Sequence, residues 1–451
     1  MSESSGLPLR ICVMPTGATP PEGAPLGAAG GLVARLGLDG GEVRLTVVLV
    51  ARPVAELRWL FDQVLRKVKK AFELAGPVVF EAPGVPIEIA ETLALDLRHG
   101  FGERVSHELG AAVDTLAASE ALYRAWVEED ATLRTSTAIG SDIAAWGRAQ
   151  AGRLPVEVRV YDRAAVERMG LRLLTAVGGA SDVSPPTLVV ARYTPETADG
   201  APEAPLMLLG KGVTFDSGGI NVKPYESFVS MMKNDMAGAA LAWSLFKHLA
   251  EAGSPRPLLL VIPTCENPIG EGAMRPGAVV KSYRGLDVRI DHTDAEGRLI
   301  LADALAWASD NYQPERVLCF ATLTTAALIA YGPYATPVHF AAPDLEAALT
   351  RASDASGEDL HFFPSRVWHL EANRDEEADL KNTARLPSHA ARGAGSRNAG
   401  HFLLHFTDRP LTHFDIFAST WNWAGDAPAS GWGATGAPLR TLVKALALLD
   451  A

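Results

Sequence analysis

The chain has 451 residues, 48% of them apolar, which exceeds what one hydrophobic core ordinarily serves and predicts a globular protein of two domains. With 41 basic residues against 53 acidic ones the net charge is −12, which disfavours nucleic acid and anionic membrane surfaces as partners. Three cysteines, Cys12, Cys265 and Cys319, are too few and too scattered for a disulfide framework or a thiolate zinc site.

The start of the chain lacks the basic residues and apolar run of a signal peptide, and no stretch approaches the ~20 apolar residues needed to span a bilayer. A cytoplasmic location with no membrane contact is the expectation.

In chain order, the Gly- and Pro-rich residues 15–31 predict a loop. Residues 43–51 form a β-branched, strand-like run, and residues 57–74 carry helical apolar spacing with basic residues between. Together with residues 87–97 and a helix over 111–127, they predict a small α/β domain spanning 1–150. A helical pattern over 131–155 leads into a strand at 156–160, where the junction is expected. Beyond it, strands at 187–192, 206–209, 258–262 and 317–320 alternate with helices at 237–250, 299–309 and 438–449. Such alternation demands a sheet covered on both faces. The expected fold is α/β: a central mixed sheet flanked by helices in a catalytic domain, residues 151–451, preceded by the smaller α/β domain.

The richest segment is Asp291-His-Thr-Asp-Ala-Glu-Gly-Arg-Leu299, which sets Asp294 and Glu296 two residues apart at a helix start, with Arg298 behind them. Upstream lie Gly210-Lys-Gly-Val-Thr-Phe-Asp-Ser-Gly-Gly219, then Lys223, then Lys233-Asn-Asp-Met-Ala-Gly238. Together they offer enough anionic oxygen to grip two hard divalent cations. In α/β folds ligands gather beyond the carboxyl ends of strands, and Lys211, Asp216, Asp294 and Glu296 follow predicted strands. Oxygen ligands suit Mg²⁺ or Mn²⁺ and are accepted by zinc, so ligand type alone does not name the metal. Asp294 and Glu296 by themselves also fit a solvated helix start, where the dipole favours acids. The nearby Asp216, Asp235 and two lysines tip the balance toward a metal site.

At these residues the chain resembles the leucyl (cytosol) aminopeptidases, metal-dependent exopeptidases that assemble as hexamers. The resemblance runs from Val156 to the C-terminus, through residues 321–324, 378–382 and 433–436, whereas the first 150 residues share only size and α/β pattern. It implies that Lys211, Asp216, Asp235 and Glu296 hold one metal and that Asp216, Asp294 and Glu296 hold the other, as Mn²⁺ or Zn²⁺. A lysine ligates only when neutral, which adjacent dications favour by depressing its pKa. The same resemblance gives Lys223 the task of stabilising an oxyanion and Arg298 that of holding a bicarbonate that shuttles the proton. The substrates implied are short peptides whose free α-amine meets a metal and Asp235, and the assembly implied is a homohexamer.

Three departures bear on specificity. His292 stands where the family has Asn, and Thr325 and Phe417 stand where it has Gly and Ala. Those last two positions line the family's side-chain pocket together with Met232, so a preference for small N-terminal residues is expected. Alternatives are a dipeptidase specialised for one small residue, a DNA-binding regulator, or a non-catalytic hexameric scaffold. Net charge disfavours the regulator, and a scaffold has no reason to gather so many like charges. His401 and His405 lack the glutamate of a His-Glu-x-x-His motif, His413 and Asp415 read as a structural pair, and Ser217 belongs to a turn rather than a nucleophile elbow.

Overall fold

The computed structural model describes all residues except 1–7, 20–23, 26–31, 40–41, 72–75, 196–203, 385–393, 424–431 and 451. Uninterrupted apolar runs, typical of strands buried on both faces, build the larger sheet. Leu206–Gly210 is buried at every position and Leu258–Asn267 at all but one. Nine strands take part, in the order Asp359–Phe363, Ala335–His339, Leu411–Asp415, Arg316–Ala321, Leu206–Gly210, Leu258–Asn267, Thr187–Tyr193 and Val156–Tyr161, with Gly212–Asp216 alongside Leu258–Asn267. The sheet is mixed. Its centre is parallel, while Thr187–Tyr193 runs antiparallel to both neighbours and Ala335–His339 antiparallel to Leu411–Asp415.

The two-residue period of a strand sends alternate side chains to two separate cores. Leu206, Leu208, Leu258 and Leu260 pack with the helix Ala237–Glu251, whereas Met207, Leu209, Leu259 and Val261 pack with the helix Gly297–Tyr312. Both helices therefore start beside the sheet's carboxyl edge, one on each face. This is what brings their first residues to a common place.

The N-terminal part forms a second, six-stranded sheet in the order Ala24–Pro25, Val33–Asp39, Glu42–Val48, Leu9–Met14, Val78–Glu81 and Val105–Ser106, with helices Val54–Ala71 and Ile87–Phe101. Helices Ala111–Glu128 and Ser136–Ala149 also reach the larger sheet's covering layer: Trp126 stacks on Trp243 of the helix Ala237–Glu251 at 6.3 Å, and Trp146 meets the same ring edge-on at 5.0 Å. Arg440, 1% exposed, bonds Asp96 Oδ1 at 2.7 Å and Glu120 Oε1 at 2.5 Å, tying the last helix, Leu439–Asp450, to two N-terminal helices. Removing one partner of such a buried pair strands the other, a loss of about 3–5 kcal/mol.

Local differences from the sequence reading have local causes. The helix expected over 131–155 is Ser136–Ala149, because Thr135 caps it by accepting the Ala138 N–H on Oγ1 at 3.2 Å, and residues 151–153 form a turn. Within the expected loop at 15–31, Ala24–Pro25 pairs with Val33–Asp39 as a short edge strand, and the rest lies partly outside the described residues. The strand that precedes Asp294 is Asp287–Arg289. Asp216 does not directly follow Leu206–Gly210; it ends a separate strand, Gly212–Asp216, one residue past Lys211.

Candidate metal centre

Lys211 sits between two strands, fixed by its own backbone: its N–H donates to Phe320 O at 3.0 Å and its carbonyl accepts the Ala239 N–H at 2.8 Å. That approach requires Gly238, where a Cβ would meet Phe320 O at 2.2 Å. The Lys211 ammonium, 2% exposed, reaches Asp235 Oδ1 at 2.8 Å, Glu296 Oε1 at 2.9 Å and Thr322 O at 3.0 Å. On the other side, Lys223 Nζ lies 2.7 Å from Asp216 Oδ2 and also pairs with Asp294. Asp216, Asp294 and Glu296 each offer an oxygen within 4.8 Å of the others. All five expected ligands and Lys223 thus converge on one buried cluster.

Two loops carry Asp216, Asp294 and Glu296, and polar side chains lock them together. Gly218, at φ +86°, makes the turn that lets its N–H donate to Asp216 Oδ1 at 2.9 Å. Asn267 Nδ2 donates to the same Oδ1 at 2.7 Å and to Thr293 O at 3.1 Å. Thr293 Oγ1 donates to Gly218 O at 2.6 Å and accepts the Asn221 N–H at 2.9 Å. Beneath the second loop Asn382, fully buried, accepts the N–H groups of Asp291 and His292 at 2.8 and 3.2 Å and donates to the carbonyls of His292 and Ala295 at 2.7 and 3.3 Å. Asn267 was missed from sequence. Thr293, Thr322 and Asn382 were not, in that they lie inside quoted motifs, yet nothing in a motif says which side chain clamps which loop.

The electrostatics follow from burying four carboxylates with two ammoniums. Burial works against the Asp216 anion, but Lys223 and Lys211 prevail and its carboxyl titrates below the usual range. Burial pushes Asp294 up to about 7, with Asp216 adding to the rise and Lys223 opposing it. Asp235 is raised well above the usual range by burial, against the pull of Lys211, with Glu296 and Asp216 reinforcing the rise. Lys211 and Lys223 are raised in spite of burial by the carboxylates around them. Without ions, then, the lysines are counter-ions. Divalent cations would bring positive charge to the same spot, neutralise the crowded carboxylates and displace the Lys211 proton, freeing a nitrogen ligand. Asp235 Oδ2 is buried with no hydrogen-bond partner, as a ligand atom awaiting a cation is. The donor set fits two hard cations.

Arg298, 9% exposed, is brought down to about 10 by burial, offset in part by Glu296, Asp415 and Asp294. Its Nε is buried without a partner, which suits an anion such as bicarbonate. The expected pocket residues are placed differently from one another. Met232, in the 3₁₀ segment Val229–Met236, is 3% exposed; Thr325 is exposed at the first position of the helix Thr325–Tyr331; Phe417 is 5% exposed. His401 is buried and bonds Ser365 Oγ and Arg397 O, and His413 and Asp415 share the strand Leu411–Asp415, where Asp415 Oδ1 accepts the Leu323 N–H at 3.1 Å. Ser217 Oγ donates to Asn267 O at 2.6 Å and accepts the Gly219 N–H, as a turn residue does.

A lysine-flanked carboxylate cluster therefore stands at the carboxyl edge of a mixed sheet. Residues 121–443 match the cytosol aminopeptidase family, catalytic domain, and the chain belongs to that family. It is 39% identical over 290 residues to the probable cytosol aminopeptidase 1 of Shewanella oneidensis, covering 64% of this chain and 56% of that one. A probable cytosol aminopeptidase of Parasynechococcus marenigrum is 33% identical over 423 residues, covering 92% and 79%. Among solved structures, the bottromycin maturation enzyme BotP in complex with Mn aligns with a TM-score of 0.82 at 28% identity, over 98% of this chain and 99% of that one. The match therefore spans little more than half of the Shewanella protein but nearly all of BotP. Among the described residues no helix is long and apolar enough to cross a membrane.

Proposed function

We propose that this chain is a metal-dependent aminopeptidase that removes the N-terminal residue of short peptides. The observation that carries the reading is the convergence of Lys211, Asp216, Asp235, Asp294 and Glu296, with Lys223, on one buried point. Two divalent ions, Mn²⁺ or Zn²⁺, would be held by Lys211, Asp216, Asp235, Asp294 and Glu296, with Asp216 and Glu296 shared between them, Lys211 and Asp235 serving one and Asp294 the other. When bound, the ions polarise the scissile carbonyl and make water nucleophilic near neutral pH. A free α-amine would coordinate one ion and pair with the Asp235 carboxylate, which an acylated amine cannot do, so the enzyme acts only at N-termini. Lys223 carries fixed positive charge for the oxyanion. Arg298, whose buried Nε has no partner, would hold a bicarbonate, and that anion would supply proton-carrying chemistry in place of a protein general base.

Residues 151–451 are the catalytic unit and residues 1–150 the N-terminal unit, with the helices at 111–149 buttressing the catalytic sheet. The working assembly is a homohexamer in the cytoplasm. Met232, Thr325 and Phe417 line the substrate side-chain space. Threonine and phenylalanine in place of smaller groups exclude large side chains by clash, giving a preference for N-terminal Gly or Ala over Leu.

The alignment with BotP over nearly the whole chain favours a second reading, a peptidase specialised for trimming a precursor peptide in a maturation route. A panel of aminoacyl amides, free and N-acetylated peptides, assayed with Mn²⁺, Zn²⁺, Co²⁺ or Mg²⁺ supplied in turn, tests the proposal. Turnover of free but not acetylated peptides is the expected result. Poor turnover of every dipeptide, with cleavage of longer peptides only, would favour the maturation reading.

A further inference from the structure

The metal-site carboxylate Asp235 and the residue Phe417 belong to one closed belt of contacts. Thr322 Oγ1 donates to Asp235 Oδ1 at 2.8 Å, and the neighbouring Ala321 carbonyl accepts the Ile416 N–H at 2.9 Å. Next to Ile416, the Phe417 ring stacks on Trp423 with centroids 5.2 Å apart and planes at 29°. Trp423 is in turn met by Phe228 at 5.4 Å. Phe228 precedes the 3₁₀ segment Val229–Met236, which carries Met232 and returns to Asp235. Phe417 is 5% exposed, so its ring has water on almost no side.

Phe228 holds left-handed backbone, φ 57° and ψ 37°, which is uncommon for a residue with a bulky side chain. Strained conformations of this kind persist only where the surroundings over-determine them, and they concentrate at functional sites. Here the ring contact with Trp423 supplies a constraint, although the Phe228 side chain is itself 51% exposed. An exposed aromatic residue in a strained conformation, touching the ring that touches Phe417, has no core to stabilise. Offset and tilted ring pairs at these separations are attractive beyond simple burial.

We infer that Trp423 and Phe228 are specificity-determining residues, which act by pinning the Phe417 ring across the space for the substrate's N-terminal side chain. The inference rests on the small-residue reading of that site and deepens it: Phe417 excludes large side chains because two further rings prevent it from turning away. Substrates with Gly or Ala at the N-terminus pass the pinned ring, and those with Leu do not.

The test is the ratio of kcat/KM on leucyl and alanyl amides in the Mn²⁺-loaded full-length enzyme. Loss of a steric block of a few methylenes is worth about tenfold or more, so Trp423→Ala should raise the leucyl-to-alanyl ratio by about that factor. Trp423→Phe, which keeps a ring on Phe417, should hold the ratio near that of the wild type. A merely structural role would lower both efficiencies together and leave the ratio where it was. If Trp423→Ala does not fold, Phe228→Leu carries the same test, since that half-exposed ring is removable: a raised ratio supports the inference and an unchanged one overturns it. A ratio unchanged in Trp423→Ala but raised in Phe417→Ala overturns the pinning and leaves the small-residue reading intact. A wild type that prefers leucyl amide, or no rise in Phe417→Ala, overturns both together.

Discussion

Lys211 Nζ lies 2.9 Å from Glu296 Oε1, joining the end of a central strand to the first turn of a helix on one face of the sheet. A lysine and a glutamate 85 positions apart in sequence pay a desolvation penalty that only a compact charge cluster offsets.

Bridging ligands should matter more than a ligand to one ion. Glu296→Ala and Asp216→Ala are expected to lose more turnover and more Mn²⁺ than Asp235→Ala, measured by metal content after dialysis together with kcat. Equal losses in all three would contradict the assignment of bridges.

Lys223→Ala and Arg298→Ala should retain both ions yet lose about 10²–10³ in turnover, the usual effect of removing one preorganised charge. Elemental analysis of the purified variants decides it. Depletion of metal in either would show that the residue holds the ions rather than the reacting atoms.

Asn382 acts on the centre without touching it, through four hydrogen bonds to the loop that carries Asp294. Outer partners of metal ligands typically contribute about 10–100-fold in affinity or activity. Asn382→Ala should weaken Mn²⁺ binding by about that factor in titration calorimetry. Asn382→Asp should also weaken it, because a carboxylate cannot donate to the carbonyls of His292 and Ala295. Wild-type affinity in both would mean that the loop holds its shape without the clamp.

How much of this was legible beforehand varies with the kind of residue. The fold class was legible because the buried strands read as unbroken apolar runs, and the helices at 237–250 and 299–309 lie within a few residues of Ala237–Glu251 and Gly297–Tyr312. The residues that converge at Lys211, Asp216, Asp235, Asp294 and Glu296 were legible because they sit in long motifs. What was hidden lacks an apolar run or depends on long-range contact: the strand Gly212–Asp216 starts on glycine and alternates Thr and Asp with its apolar residues, and Asn267 meets Asp216 only because their strands run side by side. Phe417 was legible as a large residue, while its stacking on Trp423 was not, since nothing in a sequence reports ring geometry.

His413, fully buried, is brought down to about 4 by burial, with Arg298 adding to the fall and Asp415 and the Cys319 backbone opposing it; the His339 ring stacks 5.8 Å away. A folded-state pKa below the unfolded value means that the unfolded chain binds the extra proton. The stability contribution is present above about pH 6.5 and is lost as pH falls toward 4, at most about 3 kcal/mol. His413→Asn removes this dependence. Its melting temperature should fall less than that of the wild type between pH 6.5 and 4.5, and parallel curves would contradict the assignment.

The resemblance implies a hexamer, which light scattering at micromolar concentration tests. A monodisperse monomer would count against it.

The most direct test of the two-cation centre is metal stoichiometry coupled to turnover. Chelator-treated, metal-free enzyme should be inactive on alanyl amide, and Mn²⁺ or Zn²⁺ added back should restore activity as occupancy rises toward two ions per chain. Full turnover by rigorously metal-free enzyme, or restoration complete at one ion per chain, would contradict it.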